Sequence, residues 1–450
     1  MSWTSKTIGL VAGVIVGVTA SAAWAQNFDS SGGEAAGGDQ AFAFHVQSTA
    51  TLQYHPAFRS PYRGDQSLDP SARGDETADI TLYAGARPWR GAEVWINPEI
   101  DQGFGLSNTL GVAGYPSGEA YKVGRSAPYL KLPRLFLRQT IDLGGKLEKT
   151  DADLNVLGGS HAADRLVLTV GKFGVPDVFD TNSYVHDPRQ DFLNWSLIDT
   201  GTFDYAADAW GFTYGAAAEW YRGDWTVRIG LFDLSNVPNS TTLDAKFDQY
   251  QEIGEIERRY DWAGRKGKIA VTAFQTHGRM GRYAAAIALA AGAGQPADVG
   301  QVRRYGVRAG LSLNAEQSLT DALGVFLRAG EAGGEAEPYE FADIDRTIAV
   351  GMSQGGKAWG REDDRAAVAL VVNDISNIHR AYLAAGGLGI LVGDGRLPHP
   401  GDEVILESYY SLAVVQGLHA TLDYQFIHNP SYNRDRGPVS VLGLRLHAQY

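Results

Sequence analysis

The 450-residue chain has no cysteine, which removes disulfide scaffolds, thiolate metal sites and cysteine nucleophiles together. Basic charge is in the minority: 39 Lys and Arg against 52 Asp and Glu give a net charge of -13, the wrong sign for a nucleic-acid partner. Beyond the N-terminal leader no segment offers 18 uninterrupted apolar residues, so helical membrane spans are not expected, and the nearest stretch, Tyr283 to Gly294, is short and rich in Ala and Gly. Collagen is excluded because the 55 glycines, well above the usual share of about 7%, follow no triplet period. A disordered polymer is excluded by a hydrophobic fraction of 44%. No Gly-rich phosphate loop, HExxH zinc motif or calcium loop occurs and the ten His are scattered, so neither a metal nor a cofactor is expected. Length alone would suggest two or three soluble domains.

Lys6 precedes an apolar run from Ile8 to Ala23 and the small-x-small triplet Ala23-Trp24-Ala25, the layout of a secretory signal peptide cut before Gln26. An uncleaved anchor fits less well, the run being short for a bilayer. The expected organisation is a leader at 1–25, a flexible Gly/Ser-rich segment at 26–42 and one exported domain at 43–450.

That domain is patterned by segments of about ten residues with period-two alternation, closed by Gly, Asp, Asn or Pro. Sixteen are readable, near 43–53, 76–86, 91–98, 134–143, 164–173, 210–221, 225–233, 253–262, 267–277, 303–313, 321–330, 344–354, 365–374, 403–413, 417–427 and 438–450. Links after the second, sixth, eighth, tenth and fourteenth are short, whereas those after the first, third, fifth, seventh, ninth and thirteenth are long. Short turns on one side and long loops on the other predict an all-β fold, a transmembrane antiparallel β-barrel of about sixteen strands with periplasmic turns and extracellular loops. Two links depart from the rhythm: 144–163 is long for a turn, and 355–364 is intermediate. The Ala-rich 281–291 stretch is placed in a loop as a short helix, since a strand there would spoil the even count.

The last segment puts Leu442, Leu444, Leu446, Ala448 and Tyr450 on one face and Val441, Gly443, Arg445, His447 and Gln449 on the other. The first face suits lipid, with a terminal aromatic of the kind that barrel-assembly machinery reads. The second suits a wet lumen, because Arg facing hydrocarbon costs about 2–4 kcal/mol. The same sorting gives an inner face carrying both charge signs with aromatics, which suits a neutral polyhydroxylated solute better than a simple ion. Equally, those charges suit pairing across the wall to hold its shape.

Particular stretches carry a resemblance. Gln53-Tyr54-His55-Pro56-Ala57-Phe58, Ser60-Pro61-Tyr62-Arg63-Gly64, Trp95-Ile96-Asn97-Pro98-Glu99, Gly118-Glu119-Ala120-Tyr121-Lys122, Asp191-Phe192-Leu193-Asn194-Trp195, Trp359-Gly360-Arg361 and Gly443-Leu444-Arg445-Leu446-His447 stand in an order that resembles the carbohydrate-selective outer-membrane porin family from about residue 45 onward. Gln66 and Ser117 stand where the family pattern has Asn, and Tyr450 replaces the commoner terminal Phe. The resemblance implies a sixteen-stranded barrel in the Gram-negative outer membrane that admits sugars by diffusion, with inward-folded loops narrowing an eyelet. The loop from Glu99 to Pro133 is favoured as the constriction over a plain surface loop, and the residues expected at the eyelet are Trp95, Asn97, Glu99, Glu119, Arg138, Arg228, Arg308 and Glu407. In that reading the acids and arginines form a hydrogen-bond ring and Trp95 offers a stacking face. Expected partners are sugars, outer-membrane lipid, the assembly machinery and two further copies in a trimer. Alternatives are a porin of the same shape for anions or organic acids, and a barrel hydrolase using Ser408 or Ser411 with His419 and Asp423; alternation sends Ser408 to lipid and no nucleophile elbow occurs, so no enzyme is expected.

Overall fold

The structure, a computed structural model, describes residues 39–120 and 123–450. The expected leader, the segment up to residue 38, and Tyr121 and Lys122 lie outside the described residues. The strands are β1 Phe42–His55, β2 Arg73–Ala86, β3 Ala92–Gly103, β4 Arg125–Thr150, β5 Gly159–Phe173, β6 Thr213–Arg222, β7 Trp225–Asp233 and β8 Tyr250–Trp262. They continue as β9 Arg265–Met280, β10 Arg304–Ser318, β11 Leu323–Ala332, β12 Arg346–Gly355, β13 Arg365–Asp374, β14 Glu403–Val415, β15 Leu418–His428 and β16 Val439–Gln449. Each pairs antiparallel with its sequence neighbours, and β1 pairs with β16 to close the sheet, Leu52 opposite Leu444. Tyr450 exchanges both backbone hydrogen bonds with Val46 at 2.9 Å, tying the last residue into the first strand. Closure leaves no free sheet edge, which answers the hazard an apolar edge strand would pose.

Alternation decides which face is which. Leu422 is 66% exposed on the outside, while its neighbours Thr421 and Asp423 are 1% and 4% exposed inside. Outward residues elsewhere are Ile229, Ile256, Val307, Leu311 and Leu442; inward ones are Asn314, Arg328, Gln425 and Arg445. The result is a barrel with an apolar exterior and a polar interior. No helix among the described residues is long and apolar enough to cross a membrane. The Ala-rich stretch forms a helix, Tyr283–Ala293, ended by Gly294 at φ 65°, a left-handed turn that glycine adopts without strain. It packs in the loops against the helix Asn377–Ala384, Tyr283 stacking on His379 at 4.3 Å.

Two expectations about links need correction. The segment 125–133, assigned from sequence to a long loop, is strand, and the link between β3 and β4 is only 104–124. Pro128, Pro133 and Lys131 mask the pattern; the register shifts by one between Asn97–Arg134 and Glu99–Lys131, a bulge that accommodates Pro133. Likewise 144–163 is no long turn. β4 and β5 run on past the barrel end, where Lys146, Glu148 and Lys149 are exposed and break the alternation, and the true link is 151–158. The longest link is 174–212, after β5.

Candidate functional site: the lumen and its constriction

The 174–212 loop turns inward because of its first residues. Pro176 sits in the first turn of a short 3-10 helix, Val175–Asp177, and the Asp177 carboxylate accepts from the Gly174 N–H at 3.0 Å, so the chain leaves β5 aimed into the barrel. Wall residues then hold it at successive points. Arg328 on β11 donates to Asp180 Oδ2 at 2.6 Å and to the carbonyls of Asp180 and Val185, with both side chains fully buried. Tyr184 lies flat on β11 because Gly324 has no side chain: a Cβ there would sit 2.0 Å from its ring. Glu407 on β14 accepts the backbone N–H groups of Leu193 and Asn194 at 2.6 and 3.0 Å. Asn194 caps the helical turn Trp195–Ile198 and donates to Gln425 on β15 at 3.0 Å. Asp204 accepts the N–H groups of Glu340 and Phe341 at 3.0 and 2.9 Å and lies 3.5 Å from Arg308 on β10.

Arg189 is the hub of the opposite wall. From this loop it reaches Glu119 and Glu99, each at 3.1 Å, Asp79 at 3.5 Å and Gln47 at 2.9 Å. Lys131 supplies a second cation to Glu99 and Asp101, at 3.1 Å each. The 104–124 loop joins the same layer: Glu403 on β14 accepts from Ala113 and Gly114 at 3.1 and 2.8 Å, and Gly118 donates to the Leu193 carbonyl at 2.7 Å. Two inward loops, knitted to each other and to the wall, therefore cross the lumen.

The space they leave is divided. One cavity of about 300 Å³ is lined by Arg134, Arg189, Glu119, Asp177, Asp187 and His186, with the aromatic side chains of Tyr115, Trp195, Tyr205, Trp210 and Phe212. Tyr115 and Trp195 stack at 5.4 Å and 4°. Three buried polar atoms around it, Trp195 Nε1, His186 Nδ1 and Asp199 Oδ1, have no hydrogen-bond partner among the described residues. A second cavity of about 1150 Å³ opens at the short-turn end, lined by Glu93, Arg138, Glu219, Arg228 and Thr181 among others. Arg134 and Asp177 form a two-bond fork at 2.7 and 2.6 Å, and the guanidinium also lies 4.8 Å over the Phe212 ring. Burial works to raise the Asp177 carboxyl, and the Arg134 charge more than offsets it, holding the group below the usual carboxylate range. Burial pushes Asp199 up to about 8 against the pull of Arg328, and burial with the same arginine lowers His186.

Of the eight residues expected at the eyelet, Glu119 lines the smaller cavity, and Arg138 and Arg228 line the larger. Trp95, Asn97, Glu99, Arg308 and Glu407 face inward but are buried at 2% exposure or less. Trp95 lies against Gly85, where a Cβ would come within 2.6 Å of the indole, and its Nε1 donates to Glu93 at 3.0 Å. The Asn97 amide has no hydrogen-bond partner among the described residues at either end. Arg189, Asp177 and Asp180 escaped the strand-by-strand reading because they lie on a loop with no alternation to sort them; the one available signal was the Asp191-to-Trp195 stretch in the same loop.

A closed sixteen-stranded barrel with an apolar outside and loops folded into a charged lumen defines a porin-type channel. The profile of the carbohydrate-selective porin, OprB family matches residues 65–450, and the chain belongs to that family. None of the curated proteins matches the chain in sequence. Among solved structures, the high-pH form of OprB from Pseudomonas putida superposes with a TM-score of 0.68 at 14% identity, covering 91% of this chain and 94% of that one. The low-pH form of the same protein gives 0.50 at 11% identity over 91% and 93%. The outer membrane channel DcaP of Acinetobacter baumannii gives 0.50 at 10% identity over 92% and 98%. At these identities the superpositions speak for the fold. The chain is thus an outer-membrane porin, a channel rather than an enzyme.

Proposed function

We propose that this porin passes monosaccharides and small oligosaccharides by diffusion, and that the smaller cavity is where selection occurs. The observation that carries the reading is the mixture lining that cavity: two arginines, four acidic side chains and several aromatic rings around a volume of about 300 Å³, the lower end of the range for a small-molecule site. Guanidinium forks and carboxylates complement hydroxyl groups of either sense, and aromatic faces complement the C–H side of a pyranose. The Trp195 Nε1, which has no hydrogen-bond partner among the described residues, is a further group for which a hydroxyl oxygen is a suitable acceptor. In this reading Glu119 belongs to the hydrogen-bond ring and Arg138 and Arg228 face the wider vestibule, while Glu99, Arg308 and Glu407 act from behind, holding the loops, and Trp95 and Asn97 are packed into the wall. A leader cleaved before Gln26, recognition of the C-terminal strand by the assembly machinery, a lipid-facing exterior and a homotrimer complete the proposal.

Reconstitution tests it. Liposomes carrying the purified protein should swell in isotonic monosaccharide, and single-channel current should fall as sugar is titrated. Current that persists with no sugar block, together with swelling in small organic anions, would replace the sugar reading with that of a porin for charged solutes.

A further inference from the structure

The partition between the two cavities is built partly from the short-turn end, which is periplasmic in outer-membrane barrels. The link 151–158 folds back into the barrel mouth. Leu157 is buried in the core, Arg138 donates to the Asn155 carbonyl at 2.7 Å, and Gly158 exchanges hydrogen bonds with Gln40 at 2.9 and 2.8 Å. Consecutive residues fall on opposite sides of the partition. Leu154 and Asn155 line the smaller cavity, and Val156 and Leu157 line the larger. Gly174 and Pro176 line the first and Val178 the second, with Asp177 lining both. On β4, Arg134 faces one cavity and Arg138 the other. The boundary between the two cavities therefore runs through three elements: β4, the first turn of the 174–212 loop, and this tip.

We propose that the 151–158 tip is the second jaw of the constriction, meeting the Arg134–Asp177 fork from the periplasmic side, and that Asn155 sets the largest solute that passes. Asn155 is suited to the place. Its backbone is left-handed at φ 57°, a conformation Asn tolerates; its Oδ1 is buried with no hydrogen-bond partner among the described residues, while the residue as a whole is half-buried and lines the smaller cavity. An inward-folded loop from outside closes on a carboxylate that its own partner arginine fixes; a tip from below offers a neutral amide that bonds a passing hydroxyl without imposing a sign. The identity of the solute rests on the sugar reading above, but the role of the tip does not.

The absence of cysteine makes the test clean, because Asn155→Cys carries a single thiol. Folded N155C in planar bilayers, treated with a charged methanethiosulfonate reagent, should lose about half or more of its ionic current, while Thr241→Cys on an exposed stretch of the 234–249 loop should be modified without loss. Asn155→Gly keeps the left-handed turn and removes the side chain; it should raise the ratio of disaccharide to monosaccharide swelling about threefold. Complete modification of N155C with unchanged current, or a thiol that reacts only after denaturation, would overturn the proposal, as would an N155G ratio equal to that of the unaltered protein. Ionic current reads the partition whatever the solute, so a channel blocked through N155C but indifferent to sugar would sink the sugar reading alone.

Discussion

The walls around Arg189 and around Arg228 look alike as strand sequences and work differently. Arg228 on β7 lies between Glu219 on β6 and Glu255 on β8 in the sheet register, and bonds both, at 3.0 and 2.6 Å, with Glu257 at 2.9 Å. Its partners are cross-strand neighbours, so the sheet satisfies itself. The β1–β4 wall presents Asp79, Glu99 and Asp101 with Lys131, an excess of carboxylates that Arg189 balances from a distant loop. Alternating charge in a strand thus reports which face is wet, and a local imbalance reports where a loop docks.

The sharpest way to break this contrast is Arg189→Ala. It takes the Arg189 cation from Asp79 and Glu119 and leaves Glu99 with Lys131, and loss of one partner from a buried charge cluster costs about 3–5 kcal/mol. Because the lost tie is between loop and wall, single-channel current should rise several-fold, to about three times or more, with a more sugar-tolerant size limit. Arg228→Ala should lower thermal stability by a comparable or slightly smaller amount, about 2–4 kcal/mol, while changing the current less than R189A does. If R228A opens the channel as widely as R189A, the distinction between a self-paired wall and a loop-docking wall is wrong. A smaller effect is expected for Glu407→Gln, which keeps the shape but leaves a single acceptor oxygen for the Leu193 and Asn194 amides, so that one of the two bonds is lost, at about 1–2 kcal/mol. Its current should rise detectably and its thermal transition move little.

These cases also show what a sequence can reveal of such a molecule. All sixteen strands were readable because each crosses from lipid to lumen every second residue, and Val441 to His447 display that rule, buried at the odd positions and more exposed at the even ones, before it lapses at the buried Ala448. β4 was readable only between 134 and 143, since Pro133 marks a bulge and the residues beyond Gly144 leave the region where alternation is enforced. The inward direction of Glu99, Arg308 and Glu407 was legible; that loops would cover them was not, because docking is set by partners such as Arg189 and Asp204, dozens of residues away and without periodicity. Trp95 is the plainest case: an inward aromatic suggested a stacking face, and Gly85 opposite lets it lie down against the wall.

The finest test of the loop-on-wall picture is pH. Asp199 lies in the 174–212 loop next to Trp195 to Ile198, packed toward His186, Tyr205, Arg328, Asp180 and Asp177, and burial pushes its carboxyl up to about 8 from an ordinary 3.8. A carboxyl whose folded pKa is raised binds more protons folded than unfolded, so its contribution favours the docked loop below about pH 4, declines as pH rises, and is fully lost once the pH passes about 8. At that point an added negative charge is buried beside Asp180 and Asp177, with Arg328 as its counterweight. Raising the pH from 6 to 9 should therefore increase current fluctuations and protease sensitivity within 174–212, both modestly. Asp191, on the same loop and also raised by burial, shifts stability in the same direction. Asp199→Asn should thus reduce the pH response. A loop in D199N that loosens between pH 6 and 9 as much as the unaltered loop would show that Asp199 ionises without disturbing its packing, and that the wall contacts at Arg328, Glu407 and Arg189 hold the loop regardless of the charge at its centre.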